Sequence, residues 1–491
     1  MNILLFNPAP RSGVQAHRRV ELPLSLLCPA TPLARAGHQV TIVDQFADPG
    51  WEEKLERALE TRPTCFGVTC MTGPQILYAL AACRRVKQRY PELPVVWGGV
   101  HASLMPEQTL RHELVDVVVI GEGEATFYEL THALDEGRPL EAVHGIMFKG
   151  AGGRLHATPS RPFVDIDAEP PLAYELVDLD LYRRRLFGVD HISFNSSRGC
   201  TFRCSFCWDP VMHKRTWRAM RPETVVQHLE HILRDHGIRG FLFTDDHFFI
   251  DLRRARAILE QIVAADLDLT ISKLQIRADT ICRMTPDFLE LLVRAGVKRL
   301  TIGVESGSQR VLDLIKKDVT VEEVIEANAR LAPYPIVPLY LFMMGMPTET
   351  PDEFRQSVVL AERLVQDNPK AAKTFNIYTP YPGTELYGLA RECGLREPDT
   401  LEGWARFNFR NIPEESAWIP PATKRLIENL DFPLMFLGNN FVNPYRKTRS
   451  MVVALGRLYA PVARYRVRHM DARFPIESMV VKRLGLFARQ D

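Results

Sequence analysis

The residues of this 491-residue chain whose types and spacing point most directly to chemistry are Cys200, Cys204 and Cys207. They stand in Cys200-Thr-Phe-Arg-Cys204-Ser-Phe-Cys207, a C-x3-C-x2-C turn that follows a short strand-like run at residues 192–196. Thiolates are soft ligands suited to zinc or to iron–sulfur clusters. A structural zinc takes four ligands. No paired second knuckle follows, and His213 is the nearest candidate for a fourth ligand. Three unrelated core cysteines fit poorly with this spacing and with Gly199 just ahead of them. On a cubane of four irons, three thiolates leave one iron open. An open coordination position is where a metal does chemistry rather than architecture.

The elements that must position these cysteines lie in residues 192–390. Strand patterns occur at residues 193–195, 240–244, 270–276, 299–303, 337–344 and 372–377. Helical patterns alternate with them at 222–236, 252–264, 286–295, 321–331 and 351–367. Proline at the first turn, with Thr285 or Thr350 just before it, is a good helix start. Repeated β/α units of this length build an open or closed barrel, whose chemistry sits at the C-terminal ends of the strands. The polar groups predicted there are Thr244-Asp245-Asp246, Gln275-Ile-Arg277, Glu305-Ser306 and Gly345-Met-Pro347. A strand-end acid also serves simply to cap the next helix.

Residues 1–150 show a second alternation. Apolar runs at 3–6, 40–43, 65–69, 95–97 and 117–120 are separated by amphipathic segments such as 51–61 and 76–90. This predicts a Rossmann-like α/β domain, a parallel sheet with helices on both faces. Ligands of such sheets bind beyond the carboxyl ends of the strands. Those ends carry Asn7-Pro8, Asp44-Gln45, Thr69-Cys-Met-Thr72, Gly98-Gly99-Val-His101 and Gly121-Glu122-Gly123-Glu124. The glycines allow a bulky ligand close to the backbone. No strand is followed by G-x-G-x-x-G, which argues against a nicotinamide site. A purely structural domain also fits this topology. Residues 151–191, opening on Ala151-Gly-Gly-Arg154 and rich in proline and acid at 159–171, read as a surface linker.

The whole chain is long enough for two or three domains. Its net charge of +1 gives no overall bias towards nucleic acid. The nine cysteines are odd in number and scattered, which predicts a reducing, cytoplasmic compartment rather than a disulfide framework. The opening Met1-Asn-Ile-Leu-Leu-Phe reads as a strand, not a signal peptide. No apolar stretch approaches the roughly 20 residues that span a bilayer.

Ser197-Arg-Gly199-Cys200-x3-Cys204-x2-Cys207, with Phe206 before the last cysteine, resembles the signature of radical S-adenosylmethionine (SAM) enzymes. Gly98-Gly-Val-His101-Ala-Ser-x-Met-Pro-Glu107, Gly121-Glu-Gly-Glu-Ala-Thr126, Leu22-Pro-Leu-Ser-Leu-Leu27 and Gly37-His-x-Val-x-Ile-Val-Asp44 are similar to the cobalamin-binding domain that precedes the radical SAM domain in one large subfamily. The resemblance implies a cobalamin-binding domain (1–150), a linker (151–191), a partial (β/α)6 TIM-type radical SAM barrel (192–390) and a mainly helical C-terminal region (391–491). It implies a [4Fe–4S] cluster on Cys200, Cys204 and Cys207, and cobalamin at Asn7, Thr69, Thr72, Gly98, Gly99, His101, Gly121, Glu122 and Gly123. D-x-H-x-x-G, which supplies a histidine to cobalt in some relatives, is absent, so the implied cobalamin has no protein imidazole. For SAM it implies Asp245 or Asp246 at the amino group and Arg277 at the carboxylate, where guanidinium binds bidentately. Glu305 and Ser306 are implied at the ribose and methionyl moiety, and Gly345 near the adenine. The implied reaction cleaves SAM to a 5'-deoxyadenosyl radical that attacks an unactivated carbon. C-methylation of a small-molecule or lipid-like metabolite is the first expectation, and cyclisation or redox rearrangement without methyl transfer the second. An external donor such as flavodoxin or ferredoxin would supply the electron. A methylthiotransferase would need ligand cysteines in the N-terminal domain, and Cys28, Cys65, Cys70 and Cys83 lack a fitting pattern.

After residue 390 the alternation stops, and Trp404, Phe407, Phe409 and Trp418 are expected as packing anchors. From Arg446 onward eleven Lys/Arg face only Asp471, Glu477 and Asp491, an excess of eight positive charges interleaved with apolar residues. Such a tail either lies on an anionic membrane surface or packs as a helical lid. Pro461 and Pro475, which interrupt any long helix, favour the lid.

Overall fold

The computed structural model describes residues 1–10, 21–408, 416–437 and 450–473. The chain forms two compact units, residues 1–184 with 397–408, and residues 185–396 with 409–491.

The first unit is built on strands β1 (Asn2–Asn7), β2 (Gln39–Asp44), β3 (Phe66–Thr69), β4 (Val95–Gly98), β5 (Val117–Val119), β6 (Ile146–Lys149) and β7 (Leu155–Ala157). Their order is β2-β1-β3-β4-β5-β6-β7. The first five are parallel, and β6 and β7 continue the sheet antiparallel. Apolar runs such as Ile3, Leu4, Leu5 and Phe6 are buried, as a strand covered on both faces requires. The turn at Ala151-Gly-Gly is the tip of the β6–β7 hairpin, so the sheet continues past residue 150. Residues 158–184 also stay with this unit. Arg35 pairs with Glu175, and Tyr182 donates to Asp44 Oδ2 at 3.0 Å.

The second unit contains β8 (Arg184–Leu186), β9 (Val189–Phe194), the ribbon β10 (Ser197–Arg198) with β11 (Arg218–Ala219), β12 (Gly240–Phe243), β13 (Thr270–Ile276), β14 (Arg299–Glu305), β15 (Val337–Met344) and β16 (Ala372–Ile377). The large sheet runs β16-β15-β14-β13-β12-β9-β8. Its six strands from β9 to β16 are parallel neighbours, the open half of a barrel. Helices return the chain between them. Thr350 closes a capping box with Glu353 and Pro351 begins the helix Pro351–Asp367, whereas Thr285 sits at its N-cap without a side-chain cap bond. Phe194, Phe241, Phe243, Phe248 and Phe249 form an edge-to-face ladder inside the unit. The described part of the C-terminal region is helical, with helices Pro421–Leu434 and Ser450–Arg468. Trp418 is a buried anchor there. Trp404 and Phe407 belong instead to the first unit, and Phe409 lies outside the described residues.

Candidate active site

The cysteine loop follows β10, and its shape is set by one glycine and two acids. Gly199 has φ 83°, and a Cβ there would lie 2.1 Å from Thr216 O, so no side chain fits. Its N–H donates to Asp246 Oδ2 at 3.0 Å. Asp245 accepts from Ser196 N at 2.8 Å, from Ser196 Oγ at 2.7 Å and from Ser197 Oγ. Burial raises the pKa of both acids, most directly by desolvation. Asp245 and Asp246, expected at an amino group, are both held within the chain. Both oxygens of Asp245 are engaged within the chain, and Asp246 supports the turn into Cys200.

Behind that turn, atoms of Asp209, His213 and Asp246 lie within 4.8 Å of one another. Burial, then the neighbouring Asp246 charge, pushes Asp209 up to about 8. Two acids this close disfavour each other's charge. His213, the nearest histidine to the cysteines in sequence, belongs to this cluster, with Arg218 Nη2 3.1 Å from its Nδ1. Burial pushes Cys200 up to about 11 and Cys207 higher still, so a metal must displace their protons on binding.

The loop is fastened to the C-terminal ends of the barrel strands. Ser205 N donates to Ile315 O at 2.9 Å, and Arg203 makes two 2.9 Å bonds to Asp318. Phe202 lies under the Arg277 guanidinium at 3.8 Å, and Phe206 has Lys317 Nζ 5.8 Å from its ring. Arg277 is 5% exposed. Its Nε bonds Asp279 Oδ1 at 3.0 Å and its Nη2 bonds Asp318 O at 2.8 Å. Glu305 reaches Lys317 because the register of β14 slips between Gly303 and Glu305, and Glu305 adopts φ 68°. Its Oε1 is 2.9 Å from Lys317 Nζ in a pair buried on both sides. Burial works against the Lys317 charge, but Glu305 and Cys204 outweigh it, so its pKa is held above the usual lysine range.

Two groups at this end were missed in the sequence. Lys317 is one. The other is His247, 3% exposed, with Nδ1 accepting from Phe249 N at 3.1 Å and, among the described residues, no hydrogen-bond partner at Nε2. Burial, then Arg277 and Lys317, lowers it to about 3, so it is neutral. Two predicted groups are hydrogen-bonded within the chain. Ser306 Oγ is 3.2 Å from Ser357 Oγ and accepts from Ser308 N at 3.1 Å, tying the loop to helix Pro351–Asp367. Gly345 donates to Glu349 Oε2 at 2.7 Å and accepts from Trp418 Nε1 at 3.1 Å, and a Cβ there would strike Ile419 at 2.8 Å.

In the first unit the strand order 2-1-3-4-5 puts a ligand crevice at the C-terminal ends beside the β1/β3 switch point. Asn7 donates to Asp44 at 2.8 Å, and Glu122 accepts from Val164 N at 2.8 Å, so both predicted contacts are tied within the chain. A Cβ on Gly121 would meet nothing within 4 Å, and one on Gly98 only Val119 at 3.9 Å. Gly99 is packed, its would-be Cβ 2.8 Å from Cys70 O and from Thr69 Oγ1. Gly123 backs onto Pro29. Met71, 44% exposed, adds apolar surface. His101 is fully buried, its Nδ1 2.9 Å from Thr72 Oγ1 and its ring 5.7 Å from Trp404. Burial lowers it to about 4. Open backbone at Gly98 and Gly121 and the apolar Met71 side chain would fit a flat macrocycle, with His101 withdrawn into the interior. Cys65, Cys70 and Cys83 are fully buried, and burial pushes Cys65 and Cys83 up to about 12.

Residues 194–361 match the Radical SAM superfamily and residues 18–131 the B12 binding domain. An uncharacterized methyltransferase of Pyrococcus horikoshii is 30% identical over 393 residues, 79% of this chain and 83% of that protein. This chain belongs to the cobalamin-binding radical SAM family. It is a radical SAM enzyme, and the family's cofactors are cobalamin, SAM and an iron–sulfur cluster. The anaerobic magnesium-protoporphyrin IX monomethyl ester cyclase of Synechocystis is 29% identical, covering 86% of this chain and 83% of that one. The hopanoid C-3 methylase of Methylococcus capsulatus is 27% identical, covering 79% and 72%. The fold is shared with the radical SAM methyltransferase TsrM of Kitasatospora setae, at TM-score 0.69 and 20% identity over 96% of this chain and 99% of that one. It is also shared with the cobalamin-dependent radical enzyme OxsB, at TM-score 0.71 and 17% identity over 99% and 75%.

Proposed function

We propose that this enzyme methylates an unactivated carbon of a small-molecule or lipid-like metabolite, using cobalamin and a [4Fe–4S] cluster on Cys200, Cys204 and Cys207. The observation that carries the reading is the set of buried charges beside the cysteine loop. Arg277 and Lys317 offer cations to a carboxylate, and Glu305 an anion to an ammonium or to ribose hydroxyls. This complements a zwitterionic amino acid attached to a sugar. When bound, the cluster supplies the electron that cleaves SAM, and cobalamin supplies a transferable methyl group. The chain's part is to hold the cysteine loop against the strand ends, through Asp245, Asp246 and the two aromatic–cation contacts, and to orient SAM. His247 contributes a neutral N–H, since its Nδ1 is occupied as an acceptor. The methylases among the relatives support the methyl transfer and a lipid-like substrate.

The electron comes from an external flavodoxin or ferredoxin, in the cytoplasm, and nucleic acid is not a partner. The cyclase relative favours one alternative, a cobalamin-assisted cyclisation or redox rearrangement without methyl transfer. A first test is anaerobic reconstitution. It is expected to give about four irons per chain, absent in Cys204→Ala, and a cob(II)alamin EPR spectrum without nitrogen splitting. A stable zinc in the cysteine site, or nitrogen splitting from His101, would contradict the reading.

A further inference from the structure

His247 directly follows the Asp245-Asp246 pair that shapes the cysteine loop. Its place is fixed by its neighbours. Phe248 N donates to Gln275 O at 3.3 Å, and the Phe248 and Phe249 rings are buried edge to face. Phe249 N donates to His247 Nδ1 at 3.1 Å, so the neutral imidazole carries its proton on Nε2. That N–H has no hydrogen-bond partner among the described residues, although the side chain is 3% exposed. A buried donor left unmet costs about 1–3 kcal/mol. In folded chains such a donor is normally met by the protein, a water or a ligand. The surroundings give the sign of the ligand. The charged side chains that act most on the imidazole are Arg277, Lys317 and Arg283, all cations. The acids nearby, Glu305, Asp279 and Asp318, are each paired with a cation already. Arg277 uses Nε on Asp279 and Nη2 on Asp318 O, which leaves Nη1. Lys317 gives Glu305 one of the three donors of an ammonium. The ring of Phe202, in the cysteine loop, stands 5.6 Å from the imidazole and 3.8 Å from the Arg277 guanidinium. An anion that meets these donors therefore lies against the cysteine loop.

We infer that His247 Nε2–H is a third donor to the carboxylate of SAM, beside Arg277 and Lys317, and that it makes the site selective for a ligand carrying that carboxylate. This assignment rests on SAM binding at Arg277, Lys317 and Glu305, as proposed above. It adds a residue that does what the two cations do not. A cation attracts an anion from a distance and in any orientation. A neutral N–H in a fixed ring favours only an acceptor oxygen placed along its own direction. His247 thus sets where the carboxylate rests, and the cations supply the attraction. The donors come from the ends of β12, β13 and β14, so three neighbouring strands share one ligand group.

The test is anaerobic equilibrium dialysis of SAM and of decarboxylated SAM against the reconstituted full-length holoenzyme, without reductant so that no SAM is cleaved. Two variants separate the two edges of the imidazole. His247→Asn keeps an acceptor for Phe249 N, as in an Asx turn, but is too short to donate from the place of Nε2. His247→Gln reaches that place with an amide N–H and gives up the acceptor at Nδ1. His247→Asn is expected to raise the SAM dissociation constant by about tenfold or more, as loss of a hydrogen bond to a charged group does. Its effect on decarboxylated SAM should stay below about twofold, since the lost partner is absent there. His247→Gln is expected to bind SAM within about threefold of wild type. Iron per chain and circular dichroism of His247→Asn should match wild type. The reverse pattern, with SAM affinity kept in His247→Asn and lost in His247→Gln, would overturn the inference and leave the imidazole a support of its turn. Equal weakening of SAM and decarboxylated SAM by His247→Asn would also overturn it, since no carboxylate is then read. Failure of the wild-type holoenzyme to bind SAM would be a different result, overturning the proposed SAM site and this assignment with it.

Discussion

Lys317 holds its charge in a buried place because Glu305 is 2.9 Å away, and the two residues should fail together. Lys317→Met alone leaves a buried carboxylate without its partner and is expected to cost about 3–5 kcal/mol. Adding Glu305→Gln should recover most of that stability but no SAM cleavage. Chemical denaturation of the two variants, beside a 5'-deoxyadenosine assay, checks both halves, and cleavage by the stable double variant would contradict the assigned role. His101 makes a pH prediction. The unfolded chain protonates it near 6.5, the folded chain only near 4. Its contribution is therefore intact above pH 6.5 and declines as pH falls towards 4, by about 1.4 kcal/mol per pH unit. His101→Gln should flatten that part of the stability–pH curve, and an unchanged slope would show that the imidazole titrates normally. Cysteines, Arg277 and Glu305 stand out in the sequence because their spacing or strand-end position is unusual. Lys317 does not, since Lys316-Lys317 looks like an ordinary solvated end to the preceding short helix.

The cysteine loop is the element on which the reaction depends, and its rigidity is built outside the motif. Ser196, Ser197, Asp245 and Asp246 hold its entry, and residues 315–318 hold its far side. Gly199→Ala forces a Cβ to within 2.1 Å of Thr216 O at a positive φ. Reconstituted iron per chain is expected to drop severalfold while circular dichroism stays near wild type, because the barrel does not rest on this turn. A full complement of iron would contradict the geometry. The sequence pattern located strands such as Thr270–Ile276 and Val337–Met344 end to end, because their apolar and turn signals are strong. It did not reveal β6–β7 or β8, which are only three or four residues long. Nor did it reveal the bulge at Glu305, because a register slip leaves no trace in periodicity. For Asp245, Ser306 and Gly345 the position at a strand end was readable, but their partners within the chain, such as Ser357 and Trp418, lie far away in sequence.

At the scale of the whole chain, two cofactor-type units occur in one polypeptide, and residues 397–408 leave the barrel unit to complete the first. The aromatic residues of that return segment were readable as anchors but not what they anchor to. Trp404 sits over His101 and donates to Gln108 Oε1 at 2.5 Å. A chain carrying both units is expected to use SAM in two ways, as radical source and as methyl source. The most direct measurement is an anaerobic turnover of the reconstituted enzyme with cobalamin, a reductant, a host metabolite extract and SAM deuterated at its methyl group, followed by mass spectrometry. The account predicts 5'-deoxyadenosine and S-adenosylhomocysteine in equal amounts, with a product that has gained the deuterated methyl group, all lost in Cys204→Ala. Formation of 5'-deoxyadenosine with neither S-adenosylhomocysteine nor a labelled product would contradict methyl transfer and assign the enzyme to the cyclase-like chemistry.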